Sequence, residues 1–136
     1  MRWMRLGISR RAQAHAIPYP ADLCVRTARF QLRGVLPDPM NLLGSVSDFR
    51  YPTFSGYVAA IREARPSVNV AALIGHTSLR NNQMDRLDRT ATSGEIAAMR
   101  LQLSEGLNGG ALGLSSGLAY QSAIAATTEE VVELAD

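Results

Sequence analysis

The chain has 136 residues, of which 46% are hydrophobic and 19% are charged. Nowhere does it approach the roughly 18 to 20 consecutive apolar residues that a membrane span needs, so we expect no transmembrane segment. A single cysteine, Cys24, excludes an intrachain disulfide and a cysteine-based zinc cluster, and a reducing, cytoplasmic setting is expected.

Charge divides the chain into a basic segment, residues 1–34, and an acidic remainder, residues 35–136. The first part holds seven arginines and one acid for a net charge of +6, whereas the second holds seven arginines and eleven acids for −4. We expect residues 1–34 to be an irregular or non-native N-terminal segment, with a divergent loop or a binding arm as alternatives. Aromatic residues are not interleaved with these arginines, so nucleic acid is not an expected partner.

A first helix is predicted after Thr53, whose side chain can cap it. Apolar residues at i, i+3, i+4 and i+7 give this helix one buried face: Phe54, Tyr57, Val58 and Ile61. Pro66 predicts its end, because the residue before a proline avoids the helical conformation.

A second helix is predicted over Ser93–Asn108. It starts with a capping-box pattern, Thr92 and Glu95, and ends at the glycine pair 109–110, which can supply a left-handed residue. Its predicted buried face consists of Ile96, Met99, Leu103 and Leu107.

Two apolar runs, residues 68–74 and 110–114, predict strands on either side of this second helix. A strand, a polar loop, a helix and another strand are typical of a βαβ unit, whose parallel strands end at the same edge of the sheet. Enzymes with such sheets place their chemistry at that edge. The polar residues that follow the two strands, 75–80 and 115–120, therefore predict half of an active-site rim.

A last helix is predicted where Thr127 and Glu130 repeat the capping-box pattern. Val131, Leu134 and Ala135 begin its apolar stripe, and the chain stops after about two turns. We expect a helix this short to be part of a longer structure.

Three stretches carry a resemblance to a known family. Residues 69–80 read NVAALIGHTSLR, residues 110–120 read GALGLSSGLAY, and residues 127–130 read TTEE. Together they strongly resemble the N-acyl-D-amino-acid deacylases, or D-aminoacylases, of the amidohydrolase superfamily. The resemblance runs from about Leu36 to Asp136.

This resemblance implies an α/β fold, namely part of a (β/α)8 barrel of the TIM type. A complete barrel needs about 250 residues, so residues 35–136 would hold two to three βα units of an internal fragment. The implied reaction is zinc-dependent hydrolysis of an N-acyl-D-amino acid to a carboxylate and a D-amino acid. The family's histidine ligands and catalytic aspartate are expected outside residues 1–136. Catalytic residues are therefore unknown here, and we expect the chain alone to bind no zinc and to be inactive.

Three residues of the predicted rim are candidates for substrate binding: Tyr120, Ser116 and His76. The resemblance places Tyr120 at the end of a Gly-Leu-Ser-Ser-Gly-Leu-x-Tyr segment, where a phenol can donate to a substrate carbonyl or carboxylate; packing is the alternative. Ser116 lies beside Gly117, which lets a ligand approach the backbone or forms a tight strand exit. His76 follows the first strand, and a loop-ordering role is favoured over a metal ligand. Since no base adjoins Ser116 in sequence, a nucleophilic serine is disfavoured.

Other interpretations stay open at this point. Arg80 and the charged run 85–89 could hold an anionic substrate, although alternating charge is more typical of a solvated loop or helix face. From a different class, the alternative is a small Arg-rich interaction or nucleic-acid-binding protein. Within the hydrolases, a dihydroorotase-like or hydantoinase-like enzyme is a further alternative.

Overall fold

The structure is a computed structural model, and it describes residues 36–42, 44–49, 51–66 and 70–136. The basic segment 1–34, with His15 and Cys24, lies outside the described residues. So does the start of the first predicted strand, at residues 68–69.

The described chain alternates helices with two short strands. Two 3-10 turns, Met40–Leu42 and Val46–Asp48, precede the first helix. The regular elements are α1 (Phe54–Ala64), β1 (Ile74–Gly75), α2 (His76–Gln83), α3 (Ser93–Asn108), β2 (Leu114–Ser115) and α4 (Thr128–Ala135).

The two strands form a parallel pair, as the βαβ pattern predicts. Ile74 lies opposite Leu114, and Gly75 lies opposite Ser115. Two backbone hydrogen bonds of 2.9 Å continue this register toward the strand starts, from Leu112 N to Ala72 O and from Ile74 N to Gly113 O. The regular strands are shorter than the predicted runs 68–74 and 110–114. Their carboxyl ends nevertheless meet at one edge.

Helix α1 forms where its cap and apolar spacing predict it. The Thr53 side chain accepts a hydrogen bond from Gly56 N at 3.1 Å, which satisfies one of the free N–H groups of the first turn. Phe54, Tyr57 and Ile61 are buried. The helix ends at Ala64, and the residue before Pro66 takes a left-handed conformation, with φ of 46° at Arg65.

Helix α2 forms where the polar residues 75–80 predict a loop. It begins directly after β1, with Gly75 at its N-cap, and its first six residues are all buried: His76, Thr77, Ser78, Leu79, Arg80 and Asn81. Seven of its eight residues are polar, so its sequence shows no apolar face of the kind that reveals α1. The βαβ crossover therefore contains two helices, α2 and α3.

Helix α3 has the predicted bounds, and both hydrogen bonds of the Thr92–Glu95 capping box are present. Ile96, Met99 and Leu103 are buried as predicted, but Leu107 is largely exposed and Gly106 is buried in its place. A Cβ on Gly106 would overlap Cδ1 of Ile74, so the glycine lets α3 approach β1 closely.

One hydrophobic core joins α1, β1, α3 and α4 against the start of α2. Its buried members are Phe54, Tyr57, Ile61, Ala72, Ile74, Leu79, Ile96, Met99, Leu103 and Leu134. Ala135, predicted in the apolar stripe of α4, is exposed. In the described part of the chain, no helix has both the length and the apolar character to cross a bilayer.

Candidate functional site

The candidate site lies at the carboxyl edge of the parallel pair, where the two strand exits touch. His76 is the residue after β1 and Ser116 is the residue after β2, so the register of Gly75 and Ser115 brings them together. His76 Nδ1 lies 3.0 Å from Ser116 Oγ. The histidine is buried, whereas the serine is exposed at the rim.

A buried ion pair stands behind this contact. His76 Nε2 lies 2.8 Å from Oε1 of Glu130 in α4, and Arg80 Nη1 lies 2.6 Å from each oxygen of the same carboxylate. Arg80 and Glu130 are both fully buried. We call these four residues, Ser116, His76, Glu130 and Arg80, the exit network.

Helix geometry explains how the exit network assembles. His76 and Arg80 are four residues apart in α2, so their side chains lie on one face of that helix. Glu130 lies in the first turn of α4, where Thr127 Oγ1 accepts from Glu130 N at 3.1 Å. The carboxylate does not complete the predicted capping box. It turns inward instead, because a buried guanidinium is a stronger partner than a backbone N–H.

Burial and charge fix the protonation of His76. Burial lowers the pKa of His76 below its ordinary value of 6.5, the Arg80 cation acts in the same direction, and Glu130 opposes both. The imidazole is therefore neutral at neutral pH and carries one N–H. The carboxylate paired with Arg80 accepts hydrogen bonds, which assigns that proton to Nε2 and leaves Nδ1 as an acceptor.

The guanidinium of Arg80 donates its hydrogen bonds inside the protein. Besides Glu130, it donates to the backbone oxygens of Ser122 at 3.2 Å, Leu87 at 3.2 Å and Arg89 at 2.7 Å. The hypothesis that Arg80 holds an anionic substrate is therefore wrong, because no free donor of Arg80 faces solvent. If residues 76–83 were predicted as a helix, the i, i+4 spacing of His76 and Arg80 would place both side chains on one helix face.

The charged run 85–89 pairs with itself and with α3. Arg86 Nε lies 2.8 Å from Asp88, and Arg89 contacts both Asp85 and Glu95. The hydrogen bond from Arg89 lowers the pKa of Glu95 to about 2. These pairs match the solvated-face interpretation rather than a substrate-binding one.

Tyr120 lies at the same rim but outside the exit network. Its half-exposed ring covers Gly117, where a Cβ would come within 2.8 Å of the ring carbons. Its backbone oxygen accepts from Ala123 N and Ile124 N, which holds the turn that follows β2. A hydrogen bond of 3.1 Å between Ser122 Oγ and Thr77 Oγ1 ties that turn to α2. The structure thus joins His76 to Ser116 and leaves Tyr120 half-exposed outside this contact.

The zinc ion that the family resemblance implies does not fit the exit network. Zinc sites gather several imidazole, thiolate or carboxylate ligands whose lone pairs face the metal. Here the Arg80 guanidinium holds both oxygens of the carboxylate, and both ring nitrogens of His76 face protein partners. Among the residues that the structure describes, no group of three or more His, Cys, Asp or Glu side chains is arranged to hold a metal.

Comparison with characterised proteins identifies relatives of this chain. It is 44% identical over 102 residues to the N-acyl-D-aspartate deacylase of Alcaligenes xylosoxydans xylosoxydans, a match that covers 75% of this chain and 20% of that protein. It is 42% identical over 98 residues to the D-aminoacylase of the same organism, covering 72% of this chain and 20% of the relative. A scan against protein-family profiles finds no match.

Solved structures give the same result. A D-aminoacylase described as defining a novel subset of amidohydrolases superposes with a TM-score of 0.71 at 34% identity, covering 84% of this chain and 28% of that one. The N-acyl-D-glutamate deacylase of Bordetella bronchiseptica, solved with zinc and a phosphonate inhibitor, gives 0.70 at 31% identity, covering 87% and 28%.

These matches identify the described region as amidohydrolase-like. Within that class, the chain is a relative of the N-acyl-D-amino-acid deacylases, and the resemblance predicted from the sequence is confirmed. The chain spans about a fifth of the length of the curated relatives that it matches.

Proposed function

We propose that this sequence belongs to a zinc-dependent enzyme that hydrolyses N-acyl-D-amino acids to a carboxylate and a free D-amino acid. The observation that carries the proposal is the parallel strand pair whose exits meet at His76 and Ser116. It occurs in a chain that is 44% identical over 102 residues to an N-acyl-D-aspartate deacylase. The relatives are hydrolases, and they lend no support to the alternative of an Arg-rich interaction or nucleic-acid-binding protein.

In this proposal, residues 35–136 are two to three βα units of a (β/α)8 barrel of the TIM type. Two features support it, the parallel pairing of β1 with β2 and the helices that connect them. Barrel enzymes of this type build their active sites from the loops after the strands, which is where the exit network lies.

The proposed share of this chain in the reaction is substrate binding rather than metal chemistry. Tyr120 would donate a hydrogen bond to the substrate carbonyl or carboxylate, and Ser116 would contact the substrate beside it. His76 would hold Ser116 from behind. Zinc, which would generate hydroxide and polarise the scissile carbonyl, would be bound outside the described residues.

A chimera tests this proposal. The segment from residue 36 to residue 136 replaces its counterpart in the D-aminoacylase of Alcaligenes xylosoxydans xylosoxydans, and the product is assayed with zinc and N-acetyl-D-amino acids. We expect the chimera to release acetate and the D-amino acid, and the 136-residue chain alone to release neither under the same conditions.

Two outcomes would contradict the proposal. One is a chimera that melts cooperatively and binds zinc as the parent enzyme does but is inactive, since the segment would then lack the required rim. The other is zinc-dependent hydrolysis by the 136-residue chain alone, since the inferred division between metal binding and substrate binding would then be wrong.

A further inference from the structure

The hydrogen bonds of the exit network run in one direction. A guanidinium only donates, so Arg80 gives two hydrogen bonds to Glu130, each of 2.6 Å. The carboxylate also accepts from the Nε2–H of His76 at 2.8 Å. Nδ1 of His76 then has a lone pair and no proton, because a neutral imidazole carries a single N–H.

This direction determines whether Ser116 can donate or accept a hydrogen bond at the surface. Its Oγ–H points inward as the donor to Nδ1 of His76, over 3.0 Å. A hydroxyl has one donor and two acceptor sites, so the remaining capacity of Ser116 is acceptance. Ser116 is exposed, so a ligand at the rim can reach this acceptor.

An acceptor at this position selects for one group of the proposed substrate. An N-acyl-D-amino acid presents a carbonyl and a carboxylate, which only accept hydrogen bonds, and one amide N–H, which donates. The phenol of Tyr120 can donate a hydrogen bond to the carbonyl or carboxylate, whereas Ser116 can accept one from the amide N–H. The two rim residues thus have complementary polarity.

We infer that the Arg80–Glu130 pair acts through His76 as a positioning device, which fixes Ser116 as the acceptor for the amide N–H of the bound N-acyl-D-amino acid. Arg80, Glu130 and His76 are positioning residues, and Ser116 is the residue that touches substrate. The inference rests on the proposed function and adds to it the atom that the serine recognises.

The first test is the tautomer of His76 in the 136-residue chain. His15→Gln leaves His76 as the single histidine of the sequence, and ¹⁵N labelling of that ring reports both nitrogens. We expect a protonated Nε2 and an unprotonated Nδ1 at neutral pH. Ser116→Ala is expected to shift the Nδ1 resonance because it removes the hydroxyl donor, whereas the matched control Ser115→Ala leaves it in place. A proton on Nδ1 would overturn the inference.

The second test combines one protein substitution with one change in the substrate. The chimera and its Ser116→Ala variant are each assayed with an N-acetyl-D-amino acid and with the ester in which oxygen replaces its N–H. We expect Ser116→Ala to lower kcat/KM for the amide by about two- to tenfold and to leave the ester unchanged, because one hydrogen bond of ordinary strength is lost. Comparing variants on the same ester cancels its greater intrinsic reactivity. Ser115→Ala should change neither value.

The outcomes separate the two proposals. Equal losses on amide and ester would overturn the role of Ser116 as acceptor for the N–H while leaving the deacylase assignment intact. A chimera that is folded but inactive on both compounds would refute the deacylase assignment, and the assignment of a substrate N–H to Ser116 would fail with it. In either case, the ¹⁵N measurement tests whether His76 positions Ser116.

Discussion

Tyr120 and Ser116 are both exposed, but different interactions hold their side chains in place. Ser116 forms a hydrogen bond with buried His76, whereas the half-exposed ring of Tyr120 packs on Gly117. If the phenol binds substrate, Tyr120→Phe in the chimera should lower kcat/KM by at least about tenfold with little change in Tm. Steady-state kinetics measure the loss.

Tyr51→Phe is the matched control, because the ring of Tyr51 packs against Tyr57 beside the core instead of at the rim. Equal activity of Tyr120→Phe and the unsubstituted chimera would favour the packing role that the sequence analysis gives as the alternative.

Glu130 is the residue on which the buried charges depend. Glu130→Gln leaves the fully buried guanidinium of Arg80 without its anion, so we expect the free energy of unfolding to fall by about 3–5 kcal/mol. Glu129→Gln, one residue earlier and exposed, should change it by no more than about 0.5 kcal/mol. Urea unfolding followed by circular dichroism gives both values. Equal effects of the two substitutions would mean that the ion pair is not formed.

At the scale of elements, α3 depends on one glycine for its distance from the sheet. Gly106→Ala places a methyl group on Cδ1 of Ile74, and we expect it to lower the free energy of unfolding by about 1–3 kcal/mol. Gly94→Ala in the same helix meets nothing within 4 Å and should instead stabilise the protein by up to about 1 kcal/mol. Thermal or urea unfolding distinguishes the two.

Adding Ile74→Val to Gly106→Ala removes the overlapping Cδ1 and should recover part of the loss. If the double variant is no more stable than Gly106→Ala, overpacking against β1 is not the cause.

The elements that the sequence predicts are those whose signals are local. Thr53 and Thr92 cap α1 and α3, and the apolar spacing of both helices predicts their buried faces, except that Val58 is only partly buried and Leu107 is exposed. Helix α2 could not be predicted from periodicity, because its one apolar residue, Leu79, does not make an apolar stripe. The sequence predicts a cap role for the Glu130 side chain because the cap residue, Thr127, is three residues away, whereas Arg80 is 50 residues away.

The same distinction applies to the candidate site. A shared edge for His76 and Ser116 followed from the βαβ pattern alone, because parallel strands end together. The ion pair behind them was not predictable, since it joins two helices whose packing depends on the whole fold.

For the whole molecule, the buried neutral histidine couples stability to pH. The pKa of His76 is below 6.5 in the folded state, and the unfolded chain takes up a proton near 6.5, so the unfolded state binds more protons as the pH falls. Stability should therefore decrease as the pH drops below about 6.5, and this contribution should level off once the pH passes below the pKa of the folded state. Urea unfolding between about pH 5 and pH 7.5 measures it.

His76→Gln should flatten this dependence, whereas His15→Gln should retain it. A steeper loss of stability in His76→Gln than in the unsubstituted chain would contradict the assignment of a neutral imidazole.

Helix α2 starts at the residue after β1, and Gly75 is both the last residue of the strand and the N-cap of the helix. No connecting segment separates them, so strand and helix form a single stiff unit that carries His76 and Arg80 at fixed positions. If the rim binds the acyl chain of the proposed substrate, we expect adjustment to chains of different size in the exposed residues 118–121, where turns replace regular structure. We expect natural variation in acyl preference among such enzymes to concentrate on that turn and to spare the junction at Gly75.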